Sequence, residues 1–216
     1  MSLDHAERLQ FQLDRMILFS DAVFAIAITL LIIEIKIPEL HGNEMTERAI
    51  LYAVWLLVPK FMGFFISFFL IGLYWTIHHR MFGYVVSLTP KLMGLNLIFL
   101  LSIVLMPFST GVFGAFSTPR AMHLKTPLII YVLNICFVGM VNFCLWKMIG
   151  NPANGVGSPD LNDATVRMAK IRSAIVPTVF ALAIPTAFLN PYLARYVPLL
   201  IPVAMKIAHR RMAKHK

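Results

Sequence analysis

Residues 15–40, RMILFSDAVFAIAITLLIIEIKIPEL, have the apolar character of a membrane span but carry charges where a span should have none. Twelve residues separate Asp21 from Glu34, about 18 Å of helix at ~1.5 Å per residue, against a hydrocarbon core of roughly 30 Å. The two acids therefore fall within the thickness of a membrane. On a helical wheel Arg15, Phe19, Ala22, Ile26, Thr29, Leu30, Ile33 and Ile37 lie within about 60° of Ile26 and form one narrow stripe. Asp21 lies roughly 140° from Ile26, nearly on the opposite wall, and Ser20 is on the flank. A helix with polar and small residues on both walls is expected to be surrounded by protein or to line a cavity, not to face lipid.

The rest of the chain supports a membrane setting. Of its 216 residues 59% are hydrophobic and only 13% charged, with a mean hydropathy of +0.77. That leaves too little polar surface to coat a soluble globule of this size. The first fourteen residues, MSLDHAERLQFQLD, are charged and amphipathic and lack the pattern of a cleaved secretory signal. Cys136 and Cys144 are eight positions apart in one apolar run, about 12 Å along a helix and beyond disulfide reach, so both are expected to be buried thiols.

Apolar runs long enough to cross a bilayer fall near residues 15–37, 49–76, 91–113, 125–149, 169–190 and 192–208. The expectation is an all-α integral membrane protein of six transmembrane helices forming a single domain, residues 1–216. The last two spans are short and proline-rich, with Pro177, Pro185, Pro198 and Pro202, so a re-entrant hairpin is the alternative for that end. Placing the N-terminus in the cytoplasm puts thirteen Lys and Arg residues inside and leaves only Lys36, Arg48, Arg120, Lys125 and Arg195 outside. Six spans then return the C-terminus to the cytoplasm, where its HRRMAKHK tail suits lipid headgroups. The net charge of +9 is accounted for by topology, and no nucleic-acid partner is required.

The second span runs from outside to inside and carries Trp75, His78 and His79 at its inner end, the depth at which the first helix carries Ser20 and Asp21. These groups can meet, and an Asp at membrane depth needs a donor such as a His ring, an indole N–H or Arg15. The competing reading is of ordinary interfacial residues at helix ends. Lys60, beside Pro59, is expected to snorkel or to pair with a carbonyl freed by the proline. Glu34 and Lys36 are rim residues, and Glu34 is a candidate for enriching cations at an outer mouth. His78-His79 lacks the spacing of a helical zinc pair, and no H-E-x-x-H, G-x-S-x-G or P-loop pattern is present. Neither an enzyme nor a metal or organic cofactor is expected.

The run Arg15-x-x-x-Phe19-Ser20-Asp21 resembles the R-x-x-x-F-S-D signature of the transmembrane protein 175 family, the endolysosomal potassium channels and their prokaryotic relatives. The segment YWTIHHRMF, with Trp75 and His78, resembles that family's W-x-x-H segment. The resemblance implies a potassium-selective channel without a T-V-G-Y-G filter, a sequence this chain also lacks. It implies a pore lined by the first helix, with Ile26, Leu30 and Ile33 as the aliphatic constriction and Thr29 at the position tied to potassium selectivity. Arg15, Phe19, Ser20, Asp21, Trp75 and His78 would form the signature's anchoring network. One six-helix unit per chain matches the prokaryotic form, a homotetramer in a bacterial or archaeal cell membrane whose partners are its own copies, lipid, and potassium with other monovalent cations. The rival from the residues themselves is a secondary ion transporter using Asp21, Lys60 and Glu34 as an intramembrane coupling site.

Overall fold

The structure is a computed structural model that describes residues 5–39, 45–118 and 120–201, together with 204 and 206. Its elements in chain order are α1 (His5–Ile33), α2 (Glu47–Trp55), α3 (Val58–Phe82), α4 (Pro90–Ala115), α5 (Thr126–Ile149), α6 (Asp163–Ala181), α7 (Ala183–Leu189) and α8 (Pro191–Ala194). Short 3-10 turns occupy Pro152–Asn154 and Val197–Leu200. Among the described residues there is no strand, only an isolated bridge between Val85 and Gly157. Five stretches are long and apolar enough to cross a membrane: Glu7–Ile33, Val58–Phe82, Pro90–Ala115, Thr126–Ile149 and Asp163–Leu189. At ~1.5 Å per residue each exceeds the roughly 30 Å of a hydrocarbon core. The protein is an integral, multi-pass membrane protein.

The helices start and stop where local chemistry dictates. Side chains cap α2, α4 and α6: Thr46 accepts from the Ala49 N–H, Thr89 from that of Leu92, and Asn162 from that of Thr165. The first helix begins well before residue 15, because the charged N-terminal segment is itself helical; Gln10 donates to Asp14 one turn on at 2.9 Å.

The span expected over 49–76 is two helices. Its hydropathy runs on without a gap, but Pro59 has no N–H and its ring collides with the carbonyl four residues back. The chain tightens instead, with Leu57 N–H on the Val54 carbonyl at 2.9 Å, and α3 restarts at Val58. Lys60 therefore sits in the first turn of α3, not deep inside a continuous span. Pro185 likewise separates α6 from α7 at Leu182. The described part of the expected sixth span, 192–208, holds α8 and a 3-10 turn. Most of its remainder and the basic C-terminal tail lie outside the described residues.

The core lies between α4 and α5, with α1 and α3 packed on one side and α6 on the other. Phe99, Ile103, Tyr131, Ile135 and Val138 are fully buried there. Ser67 of α3 joins the Thr110 hydroxyl of α4 at 2.7 Å and the Tyr131 hydroxyl of α5 at 2.9 Å, one buried polar knot across three helices. Glycine allows the closest approach: a Cβ on Gly139 of α5 would lie 2.5 Å from the Pro177 ring of α6. Of the two cysteines, Cys136 is half-buried, but Cys144 is exposed on the outside of the bundle.

The loop after α3 and the loop after α5 meet at one end. Val86 N–H donates to the Val156 carbonyl at 2.9 Å and Ser158 N–H to the Tyr84 carbonyl at 2.7 Å. At the opposite end Arg195 Nη1 donates to Ser117 Oγ at 2.6 Å, with its guanidinium over the Phe113 ring.

Candidate functional site

The first helix has two faces of opposite character. Leu13, Ser20, Phe24, Ala27 and Leu31 are buried against α3 and α4. At 100° per residue they cluster about 130° from Ile26. The stripe on the other side is open. Ile26 is 58% exposed and Ile33 67%, with Phe19, Thr29 and Leu30 also exposed. Thr29 Oγ donates its proton back to the Ile26 carbonyl at 2.8 Å, so its oxygen has only lone pairs left to offer.

Hydrogen bonding fixes the orientation of α1 at the end where α3 finishes and α4 starts. Ser20 has one hydroxyl proton and donates it to the Met16 carbonyl at 2.8 Å. Its oxygen then accepts from Asn96 Nδ2 at 3.0 Å. That turns Asn96 Oδ1 toward His78, so His78 Nε2 carries the proton and donates it at 2.8 Å. The imidazole is enclosed by Phe82 (ring centroids 4.2 Å apart), Phe99 (5.5 Å, rings parallel to 2°) and Phe24 (5.7 Å). Beside this chain Trp75 Nε1 donates to Asp21 Oδ1 at 2.9 Å, giving the carboxylate a donor at membrane depth. Three helices are thus clamped: α1 through Ser20 and Asp21, α3 through Trp75 and His78, α4 through Asn96.

One detail departs from the wheel, and one from the anchoring network that the resemblance implies. Ser20 is the fully buried member of the pair, and Asp21 sits half-buried at the edge of the packed face. Arg15 and Phe19 stand outside the hydrogen-bonded set: both are exposed, and the Arg15 guanidinium lies 5.8 Å from the Phe11 ring centroid. Asn96 was not singled out by the sequence reading. Its signal was a lone amide in the apolar run GLNLIFLL, a polar side chain at a depth where one needs a partner.

At the other end Glu34 and Lys60 both lean on α4. A Cβ on Gly111 would run into the Glu34 carboxylate, and one on Gly114 would come 3.4 Å from Lys60 Cγ. Asp21, near the start of α3's last third, is therefore far along the bundle from both. Among the described residues no cluster of His, Cys, Asp or Glu is arranged to hold a metal ion.

A family model described as the endosomal/lysosomal potassium channel TMEM175 matches residues 15–107, a range that includes Ser20, Asp21, Trp75, His78 and Asn96. The chain is 32% identical to a potassium channel of Streptomyces collinus over 173 residues, 80% of this chain and 81% of the relative. It is 31% identical over 138 residues to the endosomal/lysosomal proton channel TMEM175 of Gallus gallus, 62% of this chain and 27% of that longer protein. In three dimensions it is similar to the crystal structure of a lysosomal potassium-selective channel TMEM175 homolog from Chamaesiphon minutus. The TM-score is 0.72 at 25% identity, covering 92% of this chain and 97% of that one. With the family model, a relative matched over four-fifths of its length and the same helical architecture in agreement, the chain belongs to the TMEM175 family.

Proposed function

We propose that the protein is a potassium-selective channel in which α1 from each of four subunits lines a central pore, one six-helix unit per chain with both termini cytoplasmic. The observation that carries this reading is the aliphatic stripe of α1, left open on the face opposite the one that the Ser20–Asn96–His78 and Asp21–Trp75 bonds hold against the subunit. A closed rotational assembly buries the same face of every copy around the axis. Relatives named as potassium channels support the permeant ion.

In such a pore the side chains of Ile26, Leu30 and Ile33 form rings with no oxygen to replace an ion's hydration shell. Rings of this kind exclude water from a narrow bore and act as a gate by dewetting. Thr29 supplies the one side-chain oxygen within the stripe, and with its proton turned to the Ile26 carbonyl that oxygen presents lone pairs, which suit a cation. Asp21, occupied by Trp75, anchors the helix and is not a selectivity ring. Glu34 sits at the outer rim, where its charge enriches cations. The transporter alternative needs Asp21, Lys60 and Glu34 to converge, and the contacts of Glu34 and Lys60 with Gly111 and Gly114 set these two apart from Asp21.

Potassium against sodium flux into liposomes tests the proposal, for wild type, Ile26→Ala and Ile33→Ala. Shaving an aliphatic ring widens and wets the constriction, so both variants should pass more ions and discriminate less. Unchanged flux and selectivity in both would move the pore to another helix, and saturation at a few ions per second would indicate a transporter.

A further inference from the structure

A groove of about 380 Å³ runs between the second half of α5 and the first half of α6, within the size class of ligand pockets. Phe143, Ile171 and Ala174 line the part nearer the middle of α5 and α6; Arg167, Lys170 and Asp163 line the part toward the start of α6. The helices close on each other at two places around it. A Cβ on Gly150 would collide with Val166, and one on Gly139 with Pro177. Ala174, small and exposed, leaves a recess between these two contacts.

The order of chemistry along the groove follows the order of chemistry in a lipid. From Asp163 at the start of α6 to Ala174 is eleven residues, about 16 Å of helix. Over that rise the lining passes from charged, through the two cations, to apolar side chains facing the bilayer. Lys147 lies between Phe143 and Gly150 on the same stripe of α5, four residues from the first and three from the second, and is exposed. Asp163 is the single acid among the lining residues against Arg167 and Lys170, with Lys147 close by on α5, and neither Arg167 nor Lys170 has an ion-pair partner among the described residues. A zwitterionic headgroup would bring its own cation against them.

We infer that this groove binds an anionic phospholipid, its phosphate between Arg167 and Lys170 and its acyl chain over Phe143, Ile171 and Ala174. The inference rests on the chain being a membrane protein and not on the ion it conducts. Basic recesses between transmembrane helices at headgroup depth recognise acidic lipids in this way, with a gain of about five-fold in affinity per basic side chain.

The test uses the purified full chain in neutral detergent, read by native mass spectrometry and by thermal unfolding, with dioleoyl-phosphatidylglycerol, dioleoyl-phosphatidylcholine or inorganic phosphate added. Phosphatidylglycerol should stay bound and raise the unfolding midpoint, whereas phosphatidylcholine and inorganic phosphate should not. Arg167→Ala/Lys170→Ala should weaken phosphatidylglycerol binding by roughly thirty-fold. Ala174→Phe, which fills the recess and keeps both cations, should also abolish it, and this arm decides the matter if the double variant does not fold. Equal binding of phosphatidylcholine, an equal effect of inorganic phosphate, or undiminished binding by Ala174→Phe would each overturn the inference.

Discussion

His78 shows how a polar residue is held in a membrane helix. Three aromatic rings remove it from solvent, and a single amide, Asn96, takes its Nε2 proton while passing one of its own to Ser20. Replacing the amide by a hydrocarbon of similar size strands that proton. Asn96→Leu should therefore lower stability by about 1–3 kcal/mol, the cost of a buried donor without an acceptor, read as a fall in the apparent unfolding midpoint of the purified protein; an unchanged midpoint would mean the relay is not what holds α1. That Ser20 and Asp21 can meet Trp75 and His78 was legible because two helices running in opposite directions bring residues at matching depths together. Asn96 was not, because a lone amide announces a need for a partner without naming it. The relative burial of Ser20 and Asp21 was beyond a wheel as well, since it depends on which neighbour packs where.

At the scale of elements, prolines and glycines decide what hydropathy cannot. An apolar profile is continuous through residues 49–76, yet Pro59 divides it into α2 and α3 because its ring cannot share space with the carbonyl four residues earlier. The profile gives length; the proline gives the break. Glycines set the distance between helices, and their effect differs by site. Gly139→Ala would press a methyl into Pro177 and should destabilise by about 1–3 kcal/mol as the two helices are forced apart. Gly72→Ala adds a methyl where no atom lies within 4 Å, and should be neutral or stabilise by up to about 1 kcal/mol through helix propensity. Comparing the unfolding midpoints of the two variants checks this, and equal losses would show that the α5–α6 contact does not set the packing.

At the scale of the whole molecule, the number of apolar runs, the loop charges and the signature residues made the class of protein readable. The apolar runs lead to an expectation of six spans; five helices among the described residues are long and apolar enough to cross, and the meeting of the α3–α4 and α5–α6 loops at one end agrees with helices that alternate in direction. What a single chain does not carry is its neighbours. In the proposed channel the open stripe of α1 is covered only when copies face one another, and the single chain leaves that face bare. The central claim is that this stripe, and no other, borders the ion path. The most direct measurement places cysteines at Ile26 and Ile33, and at Ala27 on the buried face, in a background without Cys136 and Cys144, and follows potassium current as a water-soluble thiol reagent is added. The account predicts block at positions 26 and 33 and none at 27. Current that persists with cysteines at both 26 and 33, and is blocked instead from a cysteine on another helix, would contradict it.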